Sequence, residues 1–175
     1  MGKRSNFERK ELDFYATPAS AVEPLLAHLF GTTFCEPCAG AGDLIDHLER
    51  AEMKCVSAFD VRPLDERVRK HDASWITEAD LNGADVIITN PPWDRPVLHQ
   101  IIERCANLRP TWLLFDADWM HTKQAKPHLE ICSAIVSIGR VKWIAGSKSV
   151  GMENCCWYLF DTTYPSVATQ FFGRE

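Results

Sequence analysis

The stretch Asp85-Val86-Ile87-Ile88-Thr89-Asn90-Pro91-Pro92-Trp93 decides the fold, and it lies near the middle of the 175-residue chain. Its four β-prone residues, 86–89, predict a short strand that is buried on both faces, as in a parallel sheet. Two prolines follow, and because proline donates no backbone hydrogen bond, the strand ends at Asn90. Asn90 and Trp93 are therefore predicted at the carboxyl end of a strand, where open α/β sheets bind their ligands.

The residues after this strand suit the binding of a flat group that carries an amine. The amide oxygen of Asn90 and the carbonyl oxygen of Pro91 can accept hydrogen bonds from an NH2 group. The ring of Trp93 can stack on the ring that bears the amine. The alternative interpretation is an ordinary loop, since asparagine and proline are frequent in loops.

Upstream, the chain has the layout of a nucleotide-cofactor site. Residues 32–36 predict a strand, residues 37–43 a turn with Gly40 and Gly42, and the next residues a helix with one apolar face. Glycines let a backbone approach a ligand closely. The strand predicted over 54–59 ends at Asp60, about twenty positions after the glycines, where ribose hydroxyls find an acidic partner. The dinucleotide fingerprint is incomplete, because Ile45 stands at its third glycine position.

Composition and charge limit the classes of protein. The content is 46% hydrophobic and 25% charged, with a net charge of −5, which opposes nonspecific nucleic-acid binding by the whole surface. No apolar run approaches a membrane span, and the basic start lacks the apolar core of a signal peptide. Seven cysteines without a disulfide framework suit a reducing cytoplasm. Cys35 and Cys38 have CxxC spacing but no second well-spaced pair, so no metal site is predicted.

The remaining segments complete an alternation of strands and helices. Thr17 and Pro18 have the residue types of a helix N-cap and first helical position. The mixed charges of residues 62–70 predict a solvated helix face. A helix follows Asp94, a strand covers 111–115, and apolar runs at 131–138 and 155–160 predict a closing hairpin with a long tip. This order favours a three-layer α/β sandwich with a mostly parallel sheet.

Three motifs in this order carry a resemblance to a known family. They are Phe14-Tyr15-Ala16-Thr17-Pro18, Glu36-Pro37-Cys38-Ala39-Gly40-Ala41-Gly42 and Asn90-Pro91-Pro92-Trp93. Together they resemble the motifs of S-adenosylmethionine-dependent DNA adenine methyltransferases, which modify the exocyclic amine, and the ending is similar to the small phage-type members. The resemblance implies a Rossmann-like class I methyltransferase fold, with a mostly parallel seven-stranded sheet and an antiparallel C-terminal hairpin.

The resemblance also implies roles for individual residues. The catalytic motif is Asn90, Pro91, Pro92 and Trp93. Candidate contacts of S-adenosylmethionine are Tyr15, Thr17, Glu36, Pro37, Ala39, Gly40, Gly42, Asp60 and Asp72. Asp80 is the rival of Asp72 for the amine of the cofactor's adenine. Trp93 and the basic hairpin residues Arg140, Lys142 and Lys148 are the candidate substrate contacts, with an exposed structural hairpin as the alternative.

The substrate stays open at this point. RNA adenine or guanine, the cytosine amine and protein glutamine are alternatives to DNA adenine, and a non-catalytic cofactor-binding subunit is a further one. Residues 1–13 are expected to form a flexible basic arm, and residues 14–175 one domain without a separate target-recognition domain. DNA binding is then expected to be weak and to use local basic patches, with a short target or with help from a second copy or a partner subunit. The expected location is the cytoplasm of a bacterial or phage-infected cell.

Overall fold

The computed structural model describes residues 15–29, 33–144, 146, 150–163 and 168–174; the predicted arm, Phe14 and Lys148 lie outside these ranges. The helices are α1 (Ala19–Leu26), α2 (Asp43–Arg50), α3 (Arg95–Ala106) and the short α4 (Lys126–Leu129). The strands are β1 (Thr33–Glu36), β2 (Lys54–Asp60), β3 (Arg69–Lys70), β4 (Val86–Thr89), β5 (Thr111–Asp116), β6 (Cys132–Arg140), β7 (Asn154–Phe160) and β8 (Gln170–Phe172).

Within the described ranges these strands form one sheet in the order β3-β2-β1-β4-β5-β7-β6-β8. Strand β7 is antiparallel to both β5 and β6, and the other neighbouring pairs are parallel. The predicted α/β class, the mostly parallel sheet and the antiparallel hairpin are therefore confirmed. The sheet has eight strands rather than seven.

The two short edge strands were not among the strands predicted from the residues. Arg69 and Lys70 form β3 beside β2, and the segment predicted as a solvated helix face contains no helix. At the opposite edge, β8 pairs in parallel with β6. A strand is recognised in a sequence by the alternation of apolar and polar residues, and two or three residues are too few to show this alternation.

Helices cover both faces of the sheet, as a three-layer sandwich requires. One apolar cluster joins α1 and α2 to the side chains that one face of the sheet presents, such as Phe34, Ile88 and Trp157. The other joins α3 to the opposite face, including Ile87 and Phe115. Successive residues of β4 and β5 belong alternately to the two clusters, because neighbouring strand residues point to opposite faces. No helix in the described ranges is long and apolar enough to cross a membrane.

The strand order brings three of the predicted site residues to one edge of the sheet. Strands β2, β1 and β4 are adjacent and parallel, so Asp60, Glu36 and Asn90 all lie at the same edge of the sheet. The strand order reverses between β1 and β4, which is where α/β sheets open a crevice for ligands.

Candidate active site

A pocket of about 760 Å³ opens at this edge of the sheet. Its volume lies within the range of roughly 300–1,000 Å³ that small-molecule sites have. Most of the predicted cofactor and catalytic residues line it, namely Tyr15, Thr17, Glu36, Pro37, Ala39, Gly40, Asp60, Asp72, Asn90 and Pro92. Residues of all three motifs therefore come together around one cavity, with Asp60 and Asp72 beside them.

The glycine turn forms one wall of the pocket. Gly40 and Gly42 both have positive φ, 52° and 82°, which favours glycine over residues with a side chain. The turn is tied to its neighbours by backbone hydrogen bonds, from the Ala39 N–H to the Phe59 carbonyl and from the Leu64 N–H to the Gly40 carbonyl. Gly42 is buried at the start of α2 and does not itself line the cavity. Its predicted role is thus limited here to the shape of the turn.

Glu36 places a carboxyl group in the pocket wall with almost no access to solvent. Its side chain is 2% exposed, and Oε2 has no hydrogen-bond partner among the described residues. Burial raises the pKa of this carboxyl well above its usual range, and the negative charges of Asp60 and Asp43 raise it further. Few buried polar atoms in proteins lack a partner, so this oxygen is available to accept a hydrogen bond from a ligand in the pocket.

Asp60 holds the glycine turn and faces the pocket at the same time. Its two carboxylate oxygens accept hydrogen bonds from the N–H groups of Gly40, at 2.9 Å, and Arg62, at 2.7 Å. Each carboxylate oxygen can accept more than one hydrogen bond. Asp60 can therefore still accept from a hydroxyl group on a ligand.

The two candidates for the adenine contact occupy different surroundings. Asp72 lines the pocket, and its Oδ1 accepts from the Ser74 N–H at 2.8 Å. Asp80 instead accepts from the backbone and the hydroxyl of Thr77 in a capping box and contributes nothing to the cavity wall. The structure brings Asp72 to the site and not Asp80.

Thr17 does not cap a helix, contrary to its sequence interpretation. Helix α1 begins at Ala19, its N-cap residue is Pro18, and no side chain caps it. Thr17 is 5% exposed, and its hydroxyl accepts a hydrogen bond of 3.2 Å from Nδ2 of Asn90, 73 residues along the chain. The first motif therefore contacts the third one directly.

Trp93 also contacts the Asn90 side chain. Its indole N–H is shared between the Asn90 Oδ1, at 3.3 Å, and the carbonyl oxygen of Leu114, at 3.2 Å. The ring is partly buried, packs against both apolar clusters and does not line the pocket. Pro91 is buried and also lies outside the cavity wall, whereas Pro92 lines it.

A second tryptophan, which was not among the predicted site residues, lies beside this group. Trp143 meets Trp93 edge to face, with 5.7 Å between ring centroids, and lies 6.3 Å from the ring of Tyr15. Gly151 packs on it closely, since a Cβ there would approach the indole Cδ1 to 3.2 Å. In the sequence, the position of Trp143 among the basic residues of the hairpin could have indicated a place in the site.

The predicted basic contacts lie apart from the cavity. Arg140 is the last residue of β6 and pairs with Asn154, and Lys142 follows in the connection to β7. Both are exposed, and neither lines the pocket. The described residues contain no cluster of histidine, cysteine and acidic side chains that could hold a metal ion.

The sequence interpretation missed part of the apolar wall. Val61 and Leu64, in the connection after β2, line the pocket although they are 46% and 60% exposed. Val97, on the first turn of α3, is 37% exposed and also lines the pocket. Apolar side chains left exposed around a cavity are available to a ligand with an apolar surface.

Comparison with solved structures identifies the fold. A candidate class I S-adenosylmethionine-dependent methyltransferase from Listeria monocytogenes aligns over 89% of this chain and 62% of its own, with 10% identity and a TM-score of 0.53. The fold is that of class I methyltransferases. A candidate RNA methyltransferase from Pyrococcus horikoshii aligns over 86% and 88%, with 16% identity and a TM-score of 0.56.

A third similar structure is the M protein of the type I restriction enzyme EcoKI. It aligns over 87% of this chain with 14% identity and a TM-score of 0.54, and this chain spans only 45% of its length. No family model matches the sequence, and no curated protein matches it significantly. At these identities the likeness shows the fold alone.

Proposed function

We propose that this protein transfers a methyl group from S-adenosylmethionine to the exocyclic amine of adenine in DNA. The observation that carries the proposal is the Asn90 side chain, which Thr17 and Trp93 hold at the carboxyl end of β4 beside the pocket. Asparagine, two prolines and an aromatic ring at this point of a methyltransferase fold suit an amine substrate. A cytosine-carbon methyltransferase would instead need a cysteine nucleophile there.

The pocket fits S-adenosylmethionine in volume and in chemistry. Asp60 offers carboxylate oxygens for ribose hydroxyls, and Asp72 offers an acceptor for the adenine amine. The exposed apolar side chains of Val61 and Leu64 provide a surface for an aromatic ring. The unpartnered Oε2 of Glu36 gives the methionine end, with its ammonium group, an acceptor that the protein alone leaves unsatisfied.

In the proposed reaction, the chain positions the amine and provides acceptors for its hydrogens. When bound, S-adenosylmethionine supplies a methyl group on a sulfonium; the amine nitrogen forms the new bond to carbon as the carbon–sulfur bond breaks, and the nitrogen then loses one proton to solvent. Asn90 Oδ1 and the Pro91 carbonyl accept from the amine, which draws its lone pair out of conjugation with the ring and towards the methyl group. Trp93 provides an aromatic surface for a base turned out of the duplex.

Target recognition in this proposal uses small patches. Arg140 and Lys142 are exposed beside Trp143 and contact DNA phosphates, and because these contacts are few, binding is weak at physiological salt. The M protein of EcoKI belongs to a type I restriction enzyme, and a second copy of this chain or a partner subunit is proposed to extend target reading here. Plasmid methylation mapping should then show a short or relaxed target for the isolated protein.

The deciding experiment offers tritiated S-adenosylmethionine with DNA, RNA and protein in parallel. Incorporation into DNA as N6-methyladenine supports the proposal. Incorporation into RNA alone would move the substrate to RNA, and N4-methylcytosine would move it to the cytosine amine. Binding of the cofactor without transfer to any of the three would favour a non-catalytic subunit.

Two variants test the assigned residues. Asn90→Ala should nearly abolish transfer and leave the Kd of the cofactor within a few-fold, whereas Asn107→Ala, an exposed asparagine at the end of α3, should leave both unchanged. Replacing Arg140 and Lys142 together by Ala should lower DNA methylation at physiological salt without changing cofactor affinity. The matched control replaces Arg50 and Lys54, which lie at the other edge of the strands.

A further inference from the structure

We propose that the indole N–H of Trp93 is a positioning group for the reaction, because it fixes which end of the Asn90 amide faces the substrate amine. This inference rests on the proposed function and adds a second role for Trp93 beside stacking. Two hydrogen bonds hold the Asn90 amide, and a third holds the indole of Trp93. Trp93 Nε1 donates to Asn90 Oδ1 and to the Leu114 carbonyl, and Asn90 Nδ2 donates to the Thr17 hydroxyl.

The neighbours of an amide decide its orientation, since the oxygen and nitrogen ends have nearly the same shape. The Thr17 hydroxyl can donate or accept, so it would bind either end of the amide. The indole N–H of Trp93 can only donate, so it requires the oxygen end. Rotating the amide by 180° would bring two donors together. Trp93 therefore selects one orientation, and Thr17 accommodates it.

The selected orientation is the one that the reaction needs. An amide oxygen has two lone pairs, and Trp93 uses one of them, which leaves the second for a hydrogen of the substrate amine. In the opposite orientation, the NH2 end of Asn90 would face another NH2 group and could not accept from it. The Leu114 carbonyl, on the fully buried β5, holds the indole N–H in place. Phenylalanine has no donor at this point, although its ring could still stack.

The chemical difference between tryptophan and phenylalanine separates the two roles. Trp93→Phe keeps an aromatic surface and removes the N–H, so it should lower kcat about two- to tenfold, as expected for the loss of one hydrogen bond in the transition state. The KM for DNA and the Kd for S-adenosylmethionine should stay within about twofold. Trp75→Phe is the matched control, because Trp75 is 73% exposed on another part of the surface.

A second background tests the orientation argument itself. A carboxylate has two equivalent oxygens, so Asn90→Asp leaves no orientation to select. Trp93→Phe should therefore cost less than twofold in kcat when it is made in the Asn90→Asp protein. A fall in kcat of the same size in both backgrounds would show that Trp93 does not act through the amide orientation. Unchanged kcat for Trp93→Phe in the natural background would overturn the proposal as well.

A measurement without turnover completes the test. Each of the six tryptophans gives one indole N–H signal in a 15N-resolved NMR spectrum, and the Trp93 signal is the one that disappears in Trp93→Phe. Asn90→Ala should shift this signal and leave the Trp75 signal in place; an unmoved Trp93 signal would overturn the hydrogen bond. If the natural protein methylates no substrate, the proposed function fails, and the NMR result still decides whether Trp93 orients Asn90.

Discussion

The buried carboxyl of Glu36 makes the stability of this protein depend on pH in a direction opposite to that of a salt-bridged acid. Burial, with the charges of Asp60 and Asp43, raises the native-state pKa of Glu36 well above the reference value of 4.5. Between that reference value and the native pKa, the native state holds a proton that the unfolded state has lost. The free energy of unfolding therefore falls as the pH rises through this interval.

Replacing Glu36 by Gln should remove this dependence. A difference of one proton lowers the free energy of unfolding by at most about 1.4 kcal/mol per pH unit. Above pH 4.5 the natural protein should lose stability in this way, and the variant should not. Near pH 4.5 the two proteins should have similar stability, because the native carboxyl is then neutral like the amide. As the pH rises, the Gln variant should become progressively the more stable one. Other ionisable groups titrate in both proteins and cancel in the difference.

Urea unfolding at half-unit intervals from pH 4.5 to pH 8.5 measures this difference. The comparison is the free energy of unfolding of the variant minus that of the natural protein at each pH. Glu130→Gln is the matched control, because Glu130 is exposed and should give a difference that stays constant. A constant difference for Glu36→Gln as well would refute the claim that Glu36 is buried as a neutral acid.

Three further predictions concern the same edge of the fold and its surroundings. Asp60→Asn should weaken the binding of S-adenosylhomocysteine in calorimetry, since it removes the negative charge and one of the two oxygens that accept from the Gly40 and Arg62 N–H groups. Unchanged affinity would show that the ribose hydroxyls bind elsewhere. Gly42→Ala should lower urea stability somewhat more than Gly83→Ala does. Both glycines have φ near 80°, but only a Cβ at Gly42 would come within 2.8 Å of the Arg67 guanidinium and displace it from Asp46 and Asp65; equal losses would contradict this. His128 is buried and its pKa is lowered by desolvation, so stability should fall as the pH drops below about 6.5, and His128→Gln should reduce that fall; identical pH profiles would count against it.

The central part of the fold could be predicted from the sequence because its signals are strong and local. Apolar runs such as residues 86–89 reveal buried parallel strands, and the prolines after Asn90 mark where the strand stops. Chain order then brings the carboxyl ends of β1, β2 and β4 to one edge, so Glu36, Asp60 and Asn90 could be predicted to lie together. The position of the pocket at this edge therefore follows from the strand runs, the prolines and the chain order.

The sequence could not show which of two similar residues reaches the site when a partner distant in sequence decides it. Asp72 and Asp80 have the same side chain and lie near the same strand, and only the folded chain shows that Asp80 is used by Thr77 while Asp72 reaches the pocket. The short strands β3 and β8 carry no pattern of their own, and they form because a neighbouring edge is available to pair with. In both cases the deciding partner is distant in sequence.

Thr17 shows most clearly how such a choice affects function. Ahead of a proline, a threonine has the residue type of a helix cap, and that interpretation needed no partner elsewhere in the chain. In the folded protein its hydroxyl is buried against Asn90, because the start of α1 lies over the carboxyl end of β4. A cap could be replaced by serine, asparagine or aspartate with little change. A partner of the Asn90 amide must instead be small, uncharged and able to accept a hydrogen bond, so serine should be tolerated at position 17 and aspartate should not.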